Sequence, residues 1–274
     1  MESLLQALEL QPVPGGAPER ADGEPTERFV ASPPGEGFLF GGLTMAVGLR
    51  AAARTADAQF LPKSLHALFL RPGSWGPPLD VAVTRVNDSR SFAIRRVALT
   101  QDGRTIAELL TTLHRPEGGD DHQHAERPSA PPPASLATVT PRLPLPGIME
   151  IRPVHPFEEP LSGETVHPYW ARFDNVTAHD ALLQCCAEAF VSDYLVIRTP
   201  FPKGSTRGSE FLSRTLSHTL WFHRPVGTDW LLVSADPLSV GDGRFTSRGT
   251  IHDEAGLLVA SFVQEGILRP LEEP

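Results

Sequence analysis

The sequence predicts an α+β protein made of two like halves, each an antiparallel sheet wrapped around one central helix. Three observations lead there. Two segments are apolar on most helical faces. Each is followed by four strand-like runs with no helix between them. The two sets of runs also match residue by residue. A helix apolar nearly all round has to be enclosed by protein. A sheet curled about it buries one sheet face and the whole helix at once. A β-sandwich has no place for such helices, and a doubly wound α/β fold needs helices between successive strands.

Residues 1–34 open with a short apolar-periodic stretch, Leu4, Leu5, Leu8 and Leu10, and then turn rich in Pro, Gly and Glu. The first helix is expected after Phe40-Gly41-Gly42, over Leu43 to Ala56, where Met45, Ala46, Val47, Leu49, Ala51, Ala52 and Ala53 are all small or apolar. Strands follow at Ser64–Arg71, Leu79–Val86, Ser91–Thr100 and Thr105–His114, with Pro72-Gly73 and Asp102-Gly103 as turn signals. Residues 116–146 carry Gly118-Gly119, Pro131-Pro132-Pro133, Pro141, Pro144 and Pro146, and read as an extended linker. In the second half Thr177, with Asp180 three residues on, forms an N-cap pair. Leu182, Cys185, Cys186, Ala189 and Phe190 then fall at helical spacing. Strands are expected at Thr215–Phe222, Trp230–Asp236, Arg244–His252 and Leu257–Leu268.

The segment Ser64-Leu65-His66-Ala67-Leu68-Phe69-Leu70-Arg71-Pro72 aligns with Ser217-His218-Thr219-Leu220-Trp221-Phe222-His223-Arg224-Pro225. Holding that spacing without a gap pairs Phe92 with Phe245, Arg95 with Arg248, Gly103 with Gly256 and Ala107 with Ala260. An unbroken register through four strands indicates internal duplication. Two such units can join edge to edge into one sheet, which hides two strand edges. The expected architecture is therefore a double hotdog: an N-terminal unit over 1–115, a linker over 116–146 and a C-terminal unit over 147–274.

With 274 residues, 40% of them hydrophobic and 21% charged, the chain can bury a sizeable core. Its net charge of −9 provides no broad footprint for nucleic acid and is repelled by an anionic membrane surface. Its apolar runs fall well short of the roughly 20 residues that a membrane span needs. Met1-Glu2-Ser3-Leu4-Leu5 lacks the basic start of a secretory signal, so a cytoplasmic chain is expected. The two cysteines, Cys185 and Cys186, are adjacent; they cannot staple distant segments and make a poor metal site. The glycosylation patterns at Asn87-Asp88-Ser89 and Asn175-Val176-Thr177 carry no meaning in such a chain.

Phe40-Gly41-Gly42, Phe69-Leu70-Arg71-Pro72-Gly73, Ser91-Phe92-Ala93-Ile94-Arg95-Arg96-Val97, Trp221-Phe222-His223-Arg224-Pro225 and Val259-Ala260-Ser261-Phe262-Val263-Gln264-Glu265-Gly266 resemble the type II acyl-CoA thioesterase family. The motifs occur in the family's order over roughly residues 1–270. The resemblance implies a double hotdog that hydrolyses acyl-CoA to free acid and coenzyme A, with no metal and no bound cofactor, in a homodimer or dimer of dimers. Leu257–Leu268 offers a candidate surface for that assembly. The resemblance also implies a catalytic set of Asp193, in Val191-Ser192-Asp193, with Thr215 and Gln264. At the internal spacing Gln264 falls opposite Thr111 and Thr215 opposite Pro62, so one site per chain is expected. Leu43 departs from the family, which commonly has Gln after the first Phe-Gly-Gly.

A thiolate leaves readily, so catalysis must supply an activated water and a stabilised oxyanion. Asp193 suits a general base, and Thr215 and Gln264 can position the same water. Backbone N–H groups at the first helix's start, at Gly41 and Gly42, can meet the oxyanion. Ser217-His218 beside Asp193 does not suit a nucleophilic triad, because neighbours on a strand point to opposite faces. His218 and His223 are expected to be packed or at the surface. Arg71, Arg95, Arg96, Arg224 and Arg248 can bind phosphate, but their repetition speaks for structural roles in some of them. Two other readings are a hotdog acyl-CoA hydratase or dehydratase using an Asp/His pair, and a non-catalytic acyl-CoA-binding module.

Overall fold

In the computed structural model the strands form one continuous sheet of twelve, every neighbouring pair antiparallel. The structure describes residues 3–14, 26–33, 35, 37–141, 143, 147–157, 166–174, 176, 180–201 and 211–271. In chain order the elements are α1 (Leu4–Ala7), β1 (Gln11–Pro12), β2 (Thr26–Ala31), α2 (Gly41–Ala53), β3 (Leu61–Phe69), β4 (Leu79–Asp88), β5 (Phe92–Gln101) and β6 (Arg104–His114). The second half holds β7 (Met149–Pro153), β8 (Tyr169–Phe173), α3 (Ala181–Val191), β9 (Phe211–Phe222), β10 (Leu231–Gly241), β11 (Arg244–Asp253) and β12 (Leu258–Pro270). The order across the sheet, β1-β2-β4-β5-β6-β3-β9-β12-β11-β10-β8-β7, has the same pattern read from either end.

The two halves meet at β3 and β9. Ser64 faces Trp221 and Leu68 faces Ser217, a pairing symmetric about His66 and Thr219. On the sheet, α2 and α3 pack against each other, with the Cys186 thiol directed at the Ala46 carbonyl. One continuous apolar core takes in both helices, α1 and strands from both halves. This is the double hotdog, with its helices buried as their composition requires.

The ungapped internal alignment holds for β3 with β9 and for β6 with β12. Pro62 faces Leu113 and Thr215 faces Gly266, and the register shifts just beyond each pair. It fails for β5 with β11. Phe92 faces His114, but Arg244, not Phe245, faces Ile267. The cause is turn length. Asp102 and Gly103 alone close the β5–β6 hairpin, with φ of 48° and 72°. The β11–β12 turn is longer, closing where the Asp253 N–H donates to the Leu257 carbonyl. A one-residue slip inverts every side chain on a strand. Phe92 is 46% exposed while Phe245 is 1% exposed, and Arg95 is buried while Arg248 is exposed. Those two residue pairs are therefore not equivalent, although the strands that carry them are.

The outer strands β1, β2, β7 and β8 carry no sequence signal strong enough to predict them. In β2 only Phe29 and Ala31 are buried, too few for a clear alternation. The segment expected to offer a surface, Leu257–Leu268, is β12, paired on both sides by β9 and β11. Asp180 caps α3 by accepting the Leu183 N–H at 2.9 Å, while Thr177 lies outside the described residues. Residues 116–141 run along the second half: Asp121 pairs with Arg224, Gln123 bonds to Gly256 and Leu258, and Trp170 donates to the Pro131 carbonyl.

Candidate active site

Three elements of the second half and one of the first converge on a single point. The α3 helix ends at Val191, and Ser192 and Asp193 follow its last turn. Thr215 and His218 come from β9, Gln264 from β12. A regular strand would turn Thr215 and His218 to opposite faces. The register shift between them intervenes: Gly266 faces Thr215, Glu265 faces Ser217 and Gln264 faces His218. The bulge at Leu216 thus brings Thr215, His218 and Gln264 to one face, the re-aiming that bulges perform beside functional sites.

The sequence-derived trio stands together in a bonded chain. The Thr215 hydroxyl donates to Asp193 Oδ1 at 3.2 Å, and Gln264 Nε2 donates to Thr215 Oγ1 at 3.0 Å. Asp193 is 6% exposed. Burial pushes its carboxyl up to about 7, against the opposing pull of the Thr215 hydroxyl and the Gly42 N–H. A carboxyl held near neutrality is poised to accept a proton there.

Of the two glycines that open α2, Gly42 has a partner within the protein. The Gly42 N–H donates to the Asp193 carboxylate rather than standing open for a ligand. A Cβ on Gly42 would lie 2.2 Å from the Phe190 carbonyl, and one on Gly41 would lie 2.7 Å from Asp193 Oδ2. The two glycines therefore let the start of α2 press against the end of α3. Leu43 is fully buried in the core.

His218, expected to be packed or at the surface, is packed and also belongs to this network. It is wholly buried, with Nδ1 2.9 Å from Gln264 Oε1 and Nε2 2.9 Å from Ser192 Oγ. Burial holds its imidazole down at about 4, so it is neutral at physiological pH. A Ser-His pair suggests a nucleophile, but Ser192 has no exposed surface to offer a substrate. Cys186 is equally inert, its thiol pushed up to about 12 by burial. The signal in the sequence for His218 is its spacing from Thr215, which has meaning only once the bulge is known.

Asp193 and Thr215 line a cavity of about 670 Å³, with Gln264, His218 and Ser192 buried behind them. Its walls are mostly apolar, including Phe40, Phe69, Ile106, Leu195, Ile197 and Ile267. Arg71, Arg198 and Arg214 also line it, and Asp193 is the single carboxylate among the described lining residues. Arg71 and Arg214 are exposed, and Arg214 stacks over the Phe38 ring at 5.4 Å. Among the described residues no helix is long and apolar enough to cross a membrane.

The double hotdog thus holds a polar, hydrogen-bonded chain at the floor of an apolar cavity. Residues 31–114 match the acyl-CoA thioesterase N-terminal domain and residues 116–268 the acyl-CoA thioesterase C-terminal domain. The chain belongs to the acyl-CoA thioesterase family and is a thioester hydrolase. Acyl-CoA thioesterase 2 of Haemophilus influenzae is 29% identical over 252 residues, covering 84% of this chain and 87% of that one. Human acyl-coenzyme A thioesterase 8 is 27% identical over 258 residues, covering 84% and 80%. The crystal structure of acyl-CoA thioesterase II TesB2 from Mycobacterium marinum superposes with a TM-score of 0.77 at 27% identity, covering 99% of both chains.

Proposed function

We propose that this chain hydrolyses acyl-CoA to free acid and coenzyme A, with Asp193 as general base. Water attacks the thioester carbonyl while its proton passes to Asp193. The tetrahedral intermediate then collapses, the C–S bond breaks, and the Asp193 carboxyl returns the proton to the departing sulfur. Thr215 holds the attacking water beside the carboxylate, and Gln264 fixes Thr215 from behind. Gly41, at the unpaired start of α2, faces the developing oxyanion. The observation that carries this reading is the buried Gln264–Thr215–Asp193 chain opening into an apolar cavity. A hydratase reading would need a histidine beside the acid, and none of the described cavity-lining residues is one.

The acyl chain takes the apolar wall, and the phosphates of coenzyme A take the guanidinium groups of Arg71, Arg198 and Arg214. Three cations and one buried carboxylate, in a chain of net charge −9, make the cavity a local attractor for a polyanion. The unit boundaries at 115 and 147, a cytoplasmic setting and assembly as a homodimer or dimer of dimers belong to the same proposal. Exposed Leu68, Leu110 and Trp221 on the central strands supply apolar surface for such contact. Thiol release from acyl-CoA substrates of graded chain length tests the reading. Absence of release from every chain length overturns it.

A further inference from the structure

We propose that Phe38, at the rim of the cavity, is the platform on which the adenine ring of coenzyme A stacks. The inference rests on the hydrolytic reading above and adds a subsite for the base to those for the acyl chain and the phosphates. Of the described aromatic side chains that line the cavity, Phe38 alone is exposed. At 70% it is the most exposed large apolar side chain among the described residues. A lone apolar residue in water is ordinary on a protein surface, but three features set this one apart. Its backbone is fixed: Phe38 pairs with Ser74, the Leu39 N–H donates to the Gly73 carbonyl at 3.0 Å, and the Trp75 N–H donates to the Gly37 carbonyl at 2.9 Å. Its ring carries the Arg214 guanidinium over one face, 5.4 Å from the centroid, and the other face is open to solvent. It also stands at the right distance from the base.

That distance follows from the chain itself. Gly41 touches the base, since a Cβ there would lie 2.7 Å from Asp193 Oδ2. Phe38 precedes Gly41 by three residues, and Phe40 between them is extended, with φ of −70° and ψ of 133°. At about 3.3 Å per residue the two Cα atoms are at most ~10 Å apart, and the side chain carries the ring farther out. From its sulfur to its first phosphate the pantetheine arm has about as many bonds as four residues of backbone, so it spans roughly 13–14 Å when extended. A thioester held at Asp193 therefore delivers its phosphates, and the adenosine that follows them, to the neighbourhood of Phe38. The chemistry of the rim favours the base over the acyl chain as occupant. An alkyl chain gains in proportion to the area it removes from water, which an exposed rim supplies poorly. A flat purine gains from stacking on a single ring and keeps its polar edges in water. Arg214, already seated on the ring, is then beside the phosphates that adjoin the base.

The test compares the full-length wild type with Phe38→Leu, which keeps bulk without a flat face, and Phe38→Trp, which enlarges the face. Each is assayed for thiol release from one acyl-CoA that the wild type accepts, from its 3′-dephospho form, and from the matching acyl-4′-phosphopantetheine, which lacks the adenosine. Phe38→Leu should lower the ratio of kcat/KM for acyl-CoA to that for acyl-phosphopantetheine by about fivefold or more, through KM. The ratio for the 3′-dephospho form should fall equally, because the base is still present. Phe38→Trp should keep or raise both ratios. A ratio unchanged in Phe38→Leu overturns the proposal, including the case in which all three substrates suffer equally because the ring touches the arm or the acyl chain. A loss confined to the 3′-phosphorylated substrate overturns it too, by placing the effect on Arg214, and so does a loss in Phe38→Trp as large as in Phe38→Leu. Thermal melts show that each variant is folded, and Phe38→Leu carries the test if Phe38→Trp is not. A wild type that releases no thiol fails the hydrolytic reading instead, so the two failures are distinguishable.

Discussion

Replacing Asp193 by Asn removes a charge that the fold is strained to hold. Burial raises the carboxyl from 3.8 to about 7, so ionisation is disfavoured in the folded state. The folded chain therefore binds more protons than the unfolded chain between those two values, and its stability falls as pH rises through that window. Each pH unit costs about 1.4 kcal/mol. Between pH 5 and pH 7 the wild type should lose about 2 kcal/mol that Asp193→Asn does not lose, the slope having halved by pH 7. Comparing the difference at two pH values cancels whatever the amide gains or loses in its own hydrogen bonds. Chemical denaturation of both proteins at pH 5, 6, 7 and 8 measures it. The stability of the Asp193→Asn variant relative to wild type should rise over pH 5 to 7 and flatten above. The same substitution should lower kcat by about 10²–10⁴-fold. A stability difference constant across pH would show that Asp193 is not held near neutrality. Near wild-type turnover would remove it as the base.

Thr215→Ala should lower kcat by roughly tenfold or more with little change in KM, read from initial rates of thiol release. In the wild type kcat/KM should rise with pH and level off above about 7, following deprotonation of Asp193; a profile flat from pH 5 to 8 would contradict the assignment. Arg214→Ala should raise KM for acyl-CoA several-fold yet leave hydrolysis of the matching acyl-pantetheine, which lacks the adenosine phosphates, unchanged; equal effects on both substrates would exclude a phosphate contact. Gly42→Ala should destabilise the fold by about 2 kcal/mol or more, seen as a lowered denaturation midpoint, because the added Cβ would meet the Phe190 carbonyl backbone at 2.2 Å.

What the sequence makes legible follows from what alternation and apolar periodicity can encode. The eight strands β3–β6 and β9–β12 have buried faces with clear patterns, and α2 is apolar on most sides. The marginal strands escape for different reasons: β2 is only partly covered, and β8 is five residues long and buried on both faces, so neither shows an alternation. The slipped equivalence of Phe92 and Phe245 arises from a single added turn residue, which a comparison of strand segments cannot feel. At the site, the resemblance supplies Asp193, Thr215 and Gln264. Their mutual contact, and the place of His218 among them, depend on the bulge at Leu216 and can be read only from strand pairing.

The same bulge occurs in both halves, but only in the second does it gather side chains that bond to one another. The first half has the matching register shift between Pro62 and Ser64. Its geometry would bring the residues at 62, 65 and 111 to one face, as the second half brings 215, 218 and 264. There the side chains differ. Pro62 has no hydroxyl, and Leu65 replaces the imidazole with an alkyl group. Thr111 spends its hydrogen on the Ser64 carbonyl at 2.7 Å, within its own strand pair. No chain of directed hydrogen bonds can form from such residues. Near the end of α2 the buried polar contacts go instead to Arg95, which donates to Thr55 and pairs with Asp88. The symmetric sheet thus supplies two equivalent frames. One is filled with groups that can hold and pass a proton, the other with groups that hold only the fold.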